Sequence, residues 1–139
     1  MTSAATIAAA YPGADSVASD LVALAAQLGT DPAWLANVIQ FESRWNPAAR
    51  NRLSGASGLI QFMPATAKGL GTTTDAIRGM SAAQQLPLIA RYFSRFAGRL
   101  HTQEDVFMAV FYPVAVGQGP NYRFPARVAA SNPGIFTAG

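Results

Sequence analysis

The chain has 139 residues, half of them hydrophobic and only 12% charged, which excludes a disordered chain and suits one compact domain with its own core. It has no cysteine and one histidine, His101, which excludes a disulfide framework and a zinc site of several Cys or His ligands, so no metal and no cofactor is expected. The formal charge of +3 and pI near 9.8 suit an anionic partner, but the basic residues from Arg44 to Arg127 are dispersed, without the clusters that mark nucleic-acid arms, and no nucleic-acid partner is expected.

Met1 to Gly13 reads as a loose lead-in ending in a Pro-Gly turn. Its small apolar residues lack the Lys or Arg that opens a secretory signal, and no stretch of the chain is long and apolar enough to cross a membrane. A first helix is expected over about 16–28, with Val17, Leu21, Leu24 and Leu28 on one face and Gly29 ending it. Thr30 or Asp31 caps a second helix, and Pro32 fits its first turn. In that helix Trp34, Val38, Phe41 and Trp45 form one stripe, and Leu35, Val38, Ile39 and Glu42 a neighbouring one. Asn46-Pro47 is expected to stop it.

Residues 51–67 are rich in Gly and Ser. The one strand-like run, Gly58 to Phe62, is short, and Pro64 opens a short helix through Leu70. Ser81 starts a further helix carrying Leu86, Ile89, Phe93, Phe96 and Leu100, with a bend or a late start at Pro87. Thr102 and Asp105 have capping-box spacing ahead of a last helix that Pro113 ends. Strand-forming runs are otherwise almost absent. The expected fold is mainly α, a single domain over 1–139 with its core at about 16–117 and an irregular tail over 118–139.

Two glutamates occur. Glu104 lies in a first helical turn beside Asp105, where negative charge favours the helix dipole. Glu42 lies near a helix C-terminus, where the dipole offers it nothing, on or beside the apolar face. Burial there would raise its pKa and keep it protonated near neutral pH, as a general acid at a glycosidic bond requires. The alternative is an ion pair with Arg44, Arg50 or Arg52. Position alone does not separate the two.

The run Phe41-Glu42-Ser43-Arg44-Trp45-Asn46-Pro47, followed by Gly55 to Ala67 with Gly58-Leu59-Ile60-Gln61-Phe62-Met63-Pro64, resembles the catalytic core of the soluble lytic transglycosylases. The likeness is strong over about 32–67, weaker to Gly117, and does not extend to the tail. It implies a lysozyme-like helical fold and a peptidoglycan glycan strand as substrate. It also implies that Glu42 is the catalytic acid and base, and that Ser43, Asn51, Gln61, Met63 and Tyr112 bind substrate. Two departures stand out. Asn51 replaces a serine found in many members, and Tyr112-Pro113-Val114-Ala115-Val116-Gly117 replaces a Tyr-Asn-Ala-Gly segment.

No Asp or Glu occurs between Glu42 and Asp75. Ordinary glycosidases need a carboxylate pair, so one carboxylate favours attack by the C6 hydroxyl of N-acetylmuramic acid and a 1,6-anhydro product. A hydrolytic lysozyme on the same fold is one alternative, with Asp75, Glu104 or Asp105 as the missing base. A non-catalytic wall-binding or virion structural module is the other. The periplasm or cell wall is the expected site of action. The lack of a visible signal peptide and the altered Tyr-Pro segment suggest a virion-associated enzyme or one part of a larger phage or secretion assembly.

Overall fold

The computed structural model describes residues 2–119 and 123. Among them are seven α-helices in chain order: α1 Ala4–Ala10, α2 Ala18–Leu28, α3 Pro32–Ser43, α4 Pro64–Gly69, α5 Thr74–Arg78, α6 Ala82–Ser94 and α7 Gln103–Phe111, followed by one 3-10 turn, Pro113–Ala115. The described residues form no strand beyond isolated bridges pairing Ser57 with Arg50 and with Phe62. The mainly α reading therefore holds, and Gly58 to Phe62 is a turn.

The lead-in is not loose. Alanine favours helix, Ser3 caps α1 by accepting from the Thr6 amide, and Ile7 is buried in the common core. After the Pro-Gly turn, Gly13 lies so close to Trp45 that an added Cβ would sit 2.6 Å from the Trp45 Cβ. The second element follows the predicted span, and Gly29 closes it in the left-handed conformation at φ 70°.

Asp31 caps α3 through the Ala33 amide. This helix ends before the predicted stop at Asn46-Pro47. Arg44 and Trp45 adopt φ of 51° and 62°, and left-handed residues cannot continue a right-handed helix. Trp45 turns inward, while Phe41 remains 64% exposed, so the predicted Trp34–Phe41–Trp45 stripe is broken.

Pro64 opens α4 as expected. The short α5, capped by Thr73, was not foreseen. Pro87 does not delay α6, because the reciprocal bonds of Ser81 and Gln84 fix its first turn upstream of the proline. The helix ends at Ser94, and Phe96 and Leu100 are buried in the turns beyond it.

Thr102 caps α7 through the Asp105 amide, but Asp105 does not complete the box. Its carboxylate accepts from the amides of His101 (3.0 Å) and Gly117 (2.8 Å), tying the helix start to the turn beyond its end. The chain leaves the helix at Tyr112, just before Pro113. The predicted tail lies almost wholly outside the described residues.

A single apolar cluster joins α1, α2, α3, α6 and α7. α2 packs on α1, α3 and α6, and α3 also packs on α7.

Candidate active site

Glu42 occupies the last turn of α3 and is half-buried. Burial pushes its pKa up from the ordinary 4.5 to about 7. Desolvation disfavours the charged form, and no cation offsets it. Among the described residues the one ion pair joins Arg78 and Asp75, so the pairing of Glu42 with Arg44, Arg50 or Arg52 considered above does not form.

The remaining carboxylates have other settings. Asp31 and Asp105 hold backbone amides, Asp75 is on Arg78, and Asp15, Asp20 and Glu104 are exposed. Glu104 lines a cavity of about 310 Å³ between α3 and α7, together with Asn37, Val38, Phe41, Gln103 and Phe107.

The backbone around Glu42 is held in sparsely populated conformations. The three non-glycine residues with positive φ among those described are Arg44, Trp45 and Gln61. Such residues persist only where their surroundings enforce them, and they concentrate at functional sites.

Gln61 is enforced from its own loop. Its Nε2 donates to the carbonyls of Ala49 (3.2 Å) and Gly58 (3.0 Å). Two carbonyl partners fix the orientation of the amide and leave Oε1 to accept. The loop is further laced by Gly58 N to Ala49 O and by the paired bonds of Ser57 and Phe62. Gln61 is thereby tied to the chain that leaves α3.

The other predicted site residues differ in setting. The Ser43 side chain is buried and donates to the Ile39 carbonyl within its own helix. Asn51 is exposed, and its Oδ1 accepts from the amides of Leu53 and Ser54, forming the turn it sits in. Met63 is exposed at the N-cap of α4. Tyr112 is half-buried at the C-cap of α7.

Two residues missed in the sequence organise the site. Gln85 on α6 is fully buried. Its Oε1 accepts from the Leu59 amide, and its Nε2 donates to the carbonyls of Pro47, Ile77 and Met80. One side chain thus fastens the chain after α3, the Gln61 loop and the end of α5. Its signal was a polar residue at i−4 and i−8 from the buried Ile89 and Phe93.

Tyr92, also on α6, donates to the Ala109 carbonyl (2.6 Å), one turn before Tyr112, and sets its ring edge-on to Phe62, the neighbour of Gln61. Burial raises its pKa, Arg95 lowers it, and the charge of Glu42 raises it further. Tyr92 therefore lies within electrostatic reach of Glu42.

The sequence profile of the Transglycosylase SLT domain matches residues 22–86. This stretch, a little under half of the chain, is similar to the transglycosylase SLT family. It contains Glu42, Gln61, Met63 and Gln85, and stops short of Tyr92 and Tyr112. A transglycosylase of Enterobacteria phage PRD1 is 51% identical over 51 residues, which are 37% of this chain and 19% of that relative. The match thus spans about a fifth of the relative's length. No solved structure matches the chain. The SLT match agrees with the helical, strand-free architecture of the described residues, and no helix among them is long and apolar enough to cross a membrane.

Proposed function

We propose that the SLT domain is a peptidoglycan lytic transglycosylase that cleaves the β-1,4 bond between N-acetylmuramic acid and N-acetylglucosamine, with Glu42 as general acid and then general base. The observation that carries this reading is an unpaired, half-buried carboxyl whose pKa is raised to about 7 by burial alone. Near neutral pH a large share of it is protonated and can be given to the leaving oxygen. The carboxylate then formed takes the proton of the C6 hydroxyl as that oxygen closes on C1, yielding the 1,6-anhydro sugar and restoring the acid. The attack lies within one ring, so no second reactant is captured.

The settings of the other carboxylates support a one-carboxylate route. Asp75 is paired, and Asp105 is taken up by two amides. Of the three positions a lysozyme would draw on, only Glu104 is left, and it lies at the opposite end of α7 from Tyr112. Gln61, with Oε1 as acceptor, contacts the sugar, and Asn51, Met63 and Tyr112 border the strand. Ser43 serves from within the helix by fixing the turn that carries Glu42. The phage relative favours a phage enzyme acting on the cell wall, within a larger protein or particle.

Digestion of purified cell walls tests the reading. Released muropeptides should be lighter by one water than those of a lysozyme digest, and Glu42→Gln should lower lysis about a hundred- to ten-thousand-fold. Reducing ends from the first turnover, without anhydro species, would make water the nucleophile and the protein a lysozyme.

A further inference from the structure

Three arginines follow one another at four-residue spacing at the end of α6 and beyond it, and their settings differ. Arg91 donates to the Leu70 carbonyl and Arg99 to the Val116 carbonyl. Arg95 lies over two aromatic rings, its Cζ 4.6 Å from the Phe96 centroid and 5.2 Å from that of Tyr92, while Arg99 reaches Phe96 only at 6.0 Å. It is exposed. All seven side-chain carboxylates of the chain lie among the described residues, and none pairs with it.

The platform beneath Arg95 is fixed to the site. Tyr92 is bonded to Ala109 near the Tyr112 end of α7, abuts Phe62 beside Gln61, and feels the charge of Glu42. A guanidinium held over rings is pre-organised, and of its five N–H donors the hydrogen bond to the Tyr92 side chain uses only part, so donors remain for a carboxylate. Arg95 thus presents a planar anion-binding group on Tyr92, and it does not neutralise Glu42, whose pKa is raised by burial alone. The sugar rings of a peptidoglycan strand are uncharged, and the carboxylates on such a strand belong to its peptide stems.

We propose that Arg95 binds a carboxylate of the peptide stem borne by the glycan strand, so that the site prefers stem-bearing over stripped strands. This inference rests on the proposed function, and its test separates the two.

Binding of fluorescent strands, with stems intact or removed by an amidase and the lactyl carboxylates so freed capped as neutral methylamides, is measured by anisotropy in the Glu42→Gln chain, and turnover of both strands in the chain with Glu42 intact. Arg95→Gln keeps the side-chain length and removes the charge. It should lower the ratio of stem-bearing to stripped strands about tenfold in both assays, the scale of one charge-assisted hydrogen bond. Arg95→Lys should restore part of the ratio, and added salt should lower it in the parent chain. An unchanged ratio, including an equal loss on both strands, would overturn the assignment. If the parent chain cleaves neither strand but its binding ratio falls with Arg95→Gln, the proposed function fails and the Arg95 site stands.

Discussion

At the scale of single residues, the role proposed for Glu42 and its effect on the fold are two sides of one pKa shift. Its folded pKa of about 7 lies above the ordinary 4.5, so the folded chain holds this proton more tightly than the unfolded chain. The associated stability is fully present below about pH 4.5 and is lost as pH rises to about 7. Glu42→Gln, neutral at every pH, should therefore melt above the parent at pH 8, with the gap closing toward pH 4.5. Calorimetry across this range checks the sign, and a constant gap would mean that burial does not perturb the acid. Gln61 is a different case, because the proposed mechanism gives it no proton to transfer. Gln61→Ala removes two hydrogen bonds, each worth about 1 kcal/mol. It should weaken wall lysis less than Glu42→Gln does while the far-ultraviolet circular dichroism stays native. Loss of the native spectrum would make Gln61 a structural residue only.

At the scale of elements, the site depends on α6 as much as on α3. Gln85 accepts from one amide and shares its two N–H donors among three carbonyls, reaching three segments, and each buried group left unpaired costs about 1–3 kcal/mol. Gln85→Leu should destabilise the domain by about 3 kcal/mol or more in urea unfolding. Gly58 reports the same contact from the other side. A Cβ there would lie 2.6 Å from the Gln85 Oε1 and 2.7 Å from the Ile77 Cγ2, at a φ of 87° that side chains rarely adopt. Gly58→Ala should be destabilising as well. The helices with clear caps and apolar period, α2, α3 and α7, were legible in the sequence because their determinants are local. Glu42 stood out because a carboxylate broke an apolar stripe. Gln85 broke one in the same way, but its meaning depends on carbonyls up to 38 residues away, and spacing along one helix carries no trace of them. The early end of α3 was hidden for a related reason: Trp45 leaves the helical path to pack against Tyr11 and Gly13, a tertiary preference that overrides the local stop at Asn46-Pro47.

At the scale of the whole molecule, residues 2–13 belong to the domain that carries the site. α1 packs on α2 and α3, Ile7 is in the core, and the Tyr11 hydroxyl donates to Asn37 on α3. The Tyr11 ring lies 6.0 Å from that of Trp45, and Gly13 is closed against the same indole. Trp45 is two residues beyond Ser43 and holds the left-handed turn that ends α3 one residue after Glu42. Removing residues 1–13 would expose Ile7's contact surface and one face of Trp45, and would free Asn37 from one of its partners. Burying a large apolar side chain is worth about 1.5–3 kcal/mol, so the truncated chain should melt at a lower temperature than the full chain, and its tryptophan emission should shift to longer wavelength. Wall lysis should fall with it, because the turn that presents Glu42 loses the packing that enforces its two positive φ values. Truncated protein with unchanged melting and emission would return these residues to the status of a lead-in and leave the left-handed turn without its support.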